Sequence, residues 1–229
     1  MGPVSAVGGR LRRPVRRPAW MRRLRLVVAG LACMGTAAWA AAPSGLTGQD
    51  VNLASVGYVV GSDTAPVTVV EFGDYACSAC AEFHRDSWPE LERELVEAGV
   101  VIWRHVPFLL GFRRGKQGAK AAHCAADQGA FWAMHDRLFR DQDHWTDDDT
   151  DERLLGYAVD LGLDPAAFEE CYDDGHADDR IDLANDAAKE LGIRVTPVFF
   201  IDGRQYQGAL PAPMFLDLVR QARDARSLS

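Results

Sequence analysis

The chain has 229 residues, of which 48% are hydrophobic and 25% charged, and its formal net charge is −8. This length and hydrophobic content are enough for one sizeable folded domain, or for one domain with an insertion. The excess of acidic residues argues against nucleic acid as a partner.

Residues 1–40 have the composition of an export signal. They contain eight arginines and no acidic residue, and an apolar run over residues 26–42 follows the arginines. Ala38-Trp39-Ala40 has the small-x-small pattern of a signal-peptidase site, which predicts cleavage before Ala41. An uncleaved membrane anchor is the alternative, and Met21 is an alternative start because a complete signal follows it.

Export changes both the charge and the chemistry expected of the cysteines. Without residues 1–40 the chain has 17 basic and 33 acidic residues, a net charge of −16. Residues 41–54 then form a tether with several Gly, Ser and Thr residues. Four cysteines remain, and an extracytoplasmic location, the periplasm or the outside of the cell envelope, allows disulfides to persist.

Two of these cysteines lie where a predicted strand gives way to a predicted helix. Residues 67–72 form a β-branched apolar run that is typical of a buried strand, and residues 81–84 continue with helical spacing. Cys77 therefore lies at a helix N-terminus, where free N–H groups and the helix dipole stabilise a thiolate. Cys80 follows one turn later, close enough to form a disulfide with Cys77.

The other predicted elements give the order βαβ, helical block, ββα. A short edge strand is expected within residues 55–66, and the Cys77 helix is expected to continue to about Ala98 with a kink or break at Pro89. Residues 55–112 would form the first half of the domain, 113–192 a helical insertion and 193–229 the second half. The remaining strands are expected at 100–105, 195–201 and 204–207, and the helices at 119–128, 130–140, 152–161, 165–172, 178–191 and 213–225.

Three stretches of the sequence, residues 65–80, 121–139 and 195–203, carry a family likeness. In this order they resemble the DsbA-like thiol-disulfide oxidoreductases of the thioredoxin superfamily. The resemblance covers most of residues 55–225. It implies an α/β thioredoxin fold with an inserted all-helical subdomain.

The resemblance also implies roles for individual residues. Cys77 corresponds to the exposed nucleophilic cysteine and Cys80 to its partner. Glu71 corresponds to the buried acid that assists proton transfer, and a carboxyl buried beneath a disulfide is expected to have a raised pKa. Thr196-Pro197 corresponds to the cis-proline loop, whose backbone would pair with an extended substrate.

Further residues are expected to stabilise the fold or tune the redox pair. Cys124 and Cys171 match positions of a second, structural disulfide in some family members. Ser78 and Ala79 stand between the redox cysteines in place of the Pro-His of strong oxidants. His84 is expected to be partly exposed and, when protonated, to raise the positive potential near Cys77.

The sequence thus predicts an exported enzyme that introduces disulfides into proteins with free thiols. Its redox-active disulfide would need no metal or organic cofactor, and the protein would be a monomer reoxidised by a membrane partner. One alternative is a reductase or isomerase on the same fold. Another is a zinc- or copper-binding module that uses Cys77, Cys80 and His84. Neither the direction of the reaction nor the substrates follow from the sequence.

Overall fold

The computed structural model describes residue 53 and residues 56–227. The predicted signal peptide or anchor, the alternative start at Met21 and nearly all of the predicted tether lie outside the described residues. Within the part of the chain that is described, no helix is both long and apolar enough to cross a membrane.

A five-stranded mixed sheet forms the centre of the fold. Its order is β1-β3-β2-β4-β5, in which β2 and β3 are parallel and the other neighbours are antiparallel. The predicted β-branched strand is present as the central strand, β2, and all but one of its seven residues are buried. The strands are β1 (Tyr58–Val60), β2 (Val67–Gly73), β3 (Val101–Pro107), β4 (Val198–Ile201) and β5 (Arg204–Gln207).

Strand β4 is shorter than predicted because it begins after the loop that contains Pro197. The strand was expected from residue 195, but the first residue with strand geometry is Val198. The Thr196–Pro197 peptide bond is cis. Proline has no N–H for a sheet ladder, so a strand start is a position where it is tolerated.

Three helical segments follow the strand that precedes the cysteines. They are α1 (Ser78–Asp86), α2 (Trp88–Leu91) and a π-helical segment (Glu92–Glu97). The helix predicted to reach about Ala98 is therefore interrupted at Ser87. Pro89 lies in the first turn of α2, where the N–H that proline lacks would have no helical partner.

Six helices lie between β3 and β4, and one follows β5. The five longer helices of this block correspond to the predicted ones, whereas α5 was not predicted because the surrounding aspartates suggested a solvated loop. The helices are α3 (Gly115–Asp127), α4 (Phe131–Arg140), α5 (Gln142–Trp145), α6 (Thr150–Asp160), α7 (Pro165–Asp174), α8 (His176–Glu190) and, after β5, α9 (Ala212–Arg226).

The sheet is covered on both faces. On one face, Val69 and Phe199 of the sheet share a core with Phe83 of α1 and Phe215 of α9. On the other face, strand residues pack against alanines of α8. A third core joins the helices α3, α4 and α6 to the Cys77–Cys80 turn. The cysteines therefore lie where the helical block meets the edge of the sheet domain.

The predicted pairing of Cys124 with Cys171 is confirmed. The disulfide joins α3 to α7, with 5.6 Å between the two Cα atoms, and closes a loop across 47 positions of sequence. It lies entirely within the helical block, away from the strand that leads into Cys77.

Candidate active site

Cys77 is the N-cap residue of α1, so the position predicted for the nucleophile is the position observed. The N–H of Cys77 donates to the carbonyl of Asp74, which closes the turn between β2 and α1. Cys77 was expected to be exposed, but only 5% of its surface is accessible, and Cys80 is fully buried. Both cysteines are free thiols in this structure. Cys77 is thus the more accessible of two enclosed sulfurs.

The pKa values of the two thiols are shifted in opposite directions. The pKa of Cys77 is lowered to about 5, chiefly because the Cys80 thiol hydrogen-bonds to it; burial opposes this, and Thr196 and two backbone N–H groups add to the lowering. The pKa of Cys80 is raised well above the ordinary value by burial, and the charges of Cys77 and Glu71 contribute. At neutral pH the reduced pair therefore consists of a Cys77 thiolate and a Cys80 thiol.

The cis-proline loop lies directly against Cys77. The Cys77 Sγ atom is 3.6 Å from the carbonyl oxygen of Thr196, although 119 positions separate the two residues in sequence. The Thr196 hydroxyl is buried and has no other hydrogen-bond partner among the described residues. It lowers the pKa of Cys77. The loop predicted to bind substrate therefore borders the sulfur that would react.

Replacing Thr196 with valine should raise the pKa of Cys77. Valine keeps the shape of threonine but removes the hydroxyl, and loss of one hydrogen bond to a charged group corresponds to about one pKa unit. Alkylation by iodoacetamide requires the thiolate. As the pH is lowered, its rate should therefore begin to fall at about pH 5 in the wild type and at a higher pH in Thr196→Val.

Ser78→Ala is the matched control for that prediction. Ser78 also carries a hydroxyl next to Cys77, but it is exposed and is not among the groups that shift the pKa of Cys77. Its alkylation profile should match the wild type. An equal shift in both variants would contradict the assignment to Thr196.

A side chain of the helical block holds the active-site turn in place. Gln142, in the short helix α5, donates from Nε2 to the carbonyl of Tyr75 at 2.6 Å and to that of Cys77 at 3.0 Å. Two backbone carbonyls of the turn thus accept hydrogen bonds from a helix that the sequence did not predict. Gln142 lies among aspartates, and nothing in the local sequence pattern indicated its role.

Glu71 is fully buried in the middle of the sheet, as expected. Its pKa was expected to be raised, but it is lowered. Burial alone would raise the pKa of Glu71, yet His84 and His105 outweigh it and hold the pKa well below its ordinary range. His84 Nε2 donates to the carboxylate at 2.8 Å, Trp103 Nε1 donates at 3.2 Å, and His105 Nδ1 lies 3.1 Å away. The prediction of a raised pKa is wrong because His84 of α1 and His105 of β3 both lie beside Glu71.

His84 also departs from its prediction. It was expected to be partly exposed, but 6% of its surface is accessible and its ring stacks on Phe139 of α4 with 4.1 Å between centroids. Its partner is Glu71 rather than solvent. Of the two residues between the cysteines, Ser78 is exposed and Ala79 half-buried. A role for these three residues in redox tuning stays a prediction.

Asp74 is a site residue that the sequence reasoning missed. It lies in the turn between β2 and α1 and accepts hydrogen bonds from the N–H groups of Ala76 and Leu110, each at 2.9 Å. Burial raises its pKa to about 6, those hydrogen bonds oppose the rise, and the charge of Cys77 adds to it. A Cβ atom at Gly115 would come within 2.6 Å of the carboxylate, so glycine permits this approach of α3.

The metal site considered from the sequence is not assembled. Cys77, Cys80 and His84 do not form a group of potential ligands in the structure. Across residue 53 and residues 56–227, the group that comes close enough to share one ion consists of three buried histidines, His84, His105 and His135.

The fold and site together define a thioredoxin-fold protein with an inserted helical block and a Cys-x-x-Cys pair beside a cis-proline. A family model described as thioredoxin matches residues 54–220. The chain belongs to this thioredoxin family.

Two curated relatives illustrate the range of proteins with similar sequences. The Na(+)/H(+) antiporter NhaA 3 of Salinispora tropica is 39% identical over 153 residues, which are 66% of this chain and 22% of the antiporter. Disulfide bond formation protein D of Bacillus subtilis is 28% identical over 153 residues, 64% of this chain and 68% of that protein. The chain thus spans about a fifth of the antiporter relative.

Solved structures of DsbA proteins confirm the predicted fold. Alpha-DsbA1 of Wolbachia pipientis aligns with a TM-score of 0.66 at 22% identity, over 74% of this chain and 92% of that one. Oxidised BdbD of Bacillus subtilis aligns with a TM-score of 0.66 at 22% identity, over 75% and 95% of the two chains.

Proposed function

We propose that this protein is an exported thiol-disulfide oxidoreductase that introduces disulfides into other exported proteins. The observation that carries the proposal is the opposite acidity of the two thiols, with the pKa of Cys77 lowered to about 5 and that of Cys80 raised. A stabilised thiolate favours the reduced pair, so the Cys77–Cys80 disulfide is readily given up to substrates.

The pKa of Cys77 supports the oxidising direction over the reducing one. The corresponding thiol has a pKa of about 7 in thioredoxin, a reductant, and about 3.5 in DsbA, a strong oxidant. A value of about 5 lies between them. The expected potential is therefore higher than that of thioredoxin although the dipeptide Ser78-Ala79 lacks the histidine of strong oxidants.

The reaction transfers two electrons in two exchange steps. A substrate thiolate attacks Sγ of Cys77, the Cys77–Cys80 bond breaks, and Cys80 leaves as a thiolate. A second substrate thiolate then attacks the substrate sulfur of the mixed disulfide, and Cys77 leaves as a stable thiolate. The substrate gains a disulfide, and the enzyme retains one thiolate and, after Cys80 takes up a proton, one thiol.

Asp74, rather than Glu71, is the carboxyl suited to supply that proton. Its pKa of about 6 lets it exchange protons near neutrality, and its charge interacts with Cys77. The backbone of Asp74 also acts on Cys80, where it opposes the rise in pKa that burial causes. Glu71 stays ionised and acts through its charge, which favours the protonated form of Cys80.

Substrate binding is assigned to the backbone of the cis-proline loop. An extended substrate segment that pairs with Thr196 would place a cysteine of that segment beside Cys77, because the Thr196 carbonyl already lies 3.6 Å from Sγ. The substrates are exported proteins with free thiols, and a membrane protein would return the pair to the disulfide. The name of the Bacillus subtilis relative, Disulfide bond formation protein D, supports this direction.

The test is disulfide donation to a reduced, unfolded protein with two cysteines. Stoichiometric oxidised enzyme should convert the substrate to its disulfide form within minutes at pH 7, with two enzyme thiols appearing for each disulfide made. Rapid reduction of insulin disulfides by the reduced enzyme, without donation in the first assay, would favour the reductase instead. Equilibration of scrambled disulfides without net donation would favour the isomerase.

A further inference from the structure

Three histidines from three different elements meet in the interior. His84 comes from α1, His105 from β3 and His135 from α4, and the last two have no accessible surface. The ring centroid of His135 lies 4.6 Å from that of His84 and 4.4 Å from that of His105. One ring nitrogen from each residue lies within 4.8 Å of the other two. Buried polar rings seldom gather in this way without a shared partner.

Two of these rings have one hydrogen-bonded nitrogen and one without a partner, and neither nitrogen of the third ring, His105, makes a hydrogen bond within the described residues. His84 Nε2 and His105 Nδ1 face the Glu71 carboxylate, and His135 Nδ1 lies 3.1 Å from the Tyr75 hydroxyl. Among the described residues, His84 Nδ1, His135 Nε2 and both ring nitrogens of His105 are buried and have no hydrogen-bond partner. Metal-bound histidines typically show this arrangement, in which a carboxylate or other polar group holds the second nitrogen and orients the ring.

We propose that His84, His105 and His135 form a binding site for one divalent transition-metal ion of the kind that imidazole prefers, with zinc as the main candidate. Glu71 orients the rings of His84 and His105, and the Tyr75 hydroxyl orients the ring of His135. The site is separate from Cys77 and Cys80 and does not depend on their redox activity.

The distances and charges suit a zinc ion after a modest closure of the rings. Tetrahedral zinc holds imidazole nitrogens at about 2.0–2.1 Å, which places them about 3.4 Å apart, so nitrogens up to 4.8 Å apart must approach by about 1.4 Å. The Glu71 carboxylate lies 2.8 Å from His84 Nε2 and 3.1 Å from His105 Nδ1, so it would offset part of the charge of a bound cation.

A surface cavity of about 270 Å³ is lined by one of the three histidines, His84. His84 and Phe139 line it, and it carries two carboxylates, Glu92 and Asp136, together with the guanidinium groups of Arg85 and Arg140. The ion would link the helical block, through His135, to the sheet and the helix that carries the redox pair.

Zinc binding is best tested in a Cys77→Ser/Cys80→Ser variant, which removes the two thiols that would otherwise compete for the metal. Titration with zinc alone should show one ion bound per chain. X-ray absorption of the loaded protein should show nitrogen or oxygen ligands at about 2.0–2.1 Å and no sulfur at about 2.3 Å. Zinc at 100 times its dissociation constant should raise Tm by about 5–10 °C.

His135→Gln and His123→Gln make a matched pair of variants. His123 is also a buried helical histidine, but its Nδ1 pairs with the Tyr58 hydroxyl at 2.6 Å and it is not part of the cluster. Zinc binding should be lost in His135→Gln and kept in His123→Gln. Retention of the ion in His135→Gln would overturn the proposal, as would failure of the cysteine-free variant to bind. If His135→Gln does not fold, the X-ray absorption spectrum of the zinc-loaded Cys77→Ser/Cys80→Ser protein decides. A spectrum that shows fewer than three imidazole ligands would overturn the proposal.

Discussion

Cys80→Ser should trap covalent complexes with substrate, whereas Cys77→Ser should form none. In Cys80→Ser the Cys77 thiolate still attacks a substrate disulfide, but the mixed disulfide cannot be resolved by a serine hydroxyl. In Cys77→Ser the remaining thiol, Cys80, has no accessible surface and a pKa raised by burial, so it is a poor nucleophile. Disulfide donation should fall to the uncatalysed level in both variants.

Non-reducing electrophoresis and mass analysis of the two variants, each mixed with a protein that contains one exposed disulfide, would check this. The Cys80→Ser complex should form at a one-to-one ratio and disappear when reductant is added. The comparison is well matched because the two substitutions lie three positions apart at the same helix end. Complex formation by Cys77→Ser at a similar rate would reverse the roles assigned to the cysteines.

The second large effect concerns stability. Replacing both Cys124 and Cys171 with alanine should lower the free energy of unfolding by about 4 kcal/mol, because the open loop of 47 positions regains entropy in the unfolded chain. Since typical domains are stable by only 5–15 kcal/mol, this loss should shift Tm by about 8–16 °C. Denaturant unfolding followed by circular dichroism would measure it.

A reductant provides the control for this stability prediction. In a Cys77→Ser/Cys80→Ser protein the Cys124–Cys171 disulfide is the remaining bond that dithiothreitol can open in the described residues. Reductant should therefore destabilise that protein by a similar amount and leave the Cys124→Ala/Cys171→Ala protein unchanged. A loss below 1 kcal/mol in both experiments would show that the disulfide contributes little to folding.

Much of the fold followed from the sequence because its signals are local. The β-branched run before Cys77 predicts the central strand, and the glycine-punctuated helices predict the inserted block. The pairing of Cys124 with Cys171 followed from the family likeness and is confirmed by the structure. The position of Cys77 at the start of a helix also depends only on neighbouring residues, and it is observed as predicted.

The surroundings of Glu71 did not follow, because they depend on how α1 and β3 pack around the carboxylate. The parallel register of β2 and β3 places His105 directly beside Glu71, and Trp103 donates to the same carboxylate. His84 lies within residues 67–84, but no pattern there indicates that its ring faces the Glu71 carboxylate. The sequence therefore predicted a raised pKa for Glu71 and a partly exposed His84, and both expectations failed because the His84 ring is buried against the Glu71 carboxylate.

The central claim, that the Cys77–Cys80 pair is a disulfide donor, is tested most directly by its reduction potential. The purified protein would be equilibrated in glutathione buffers of known ratio, and its free thiols trapped and counted by mass analysis. We predict a potential above about −180 mV, consistent with a Cys77 pKa of about 5. A potential near −270 mV, the value of thioredoxin, would contradict the account and identify a reductant.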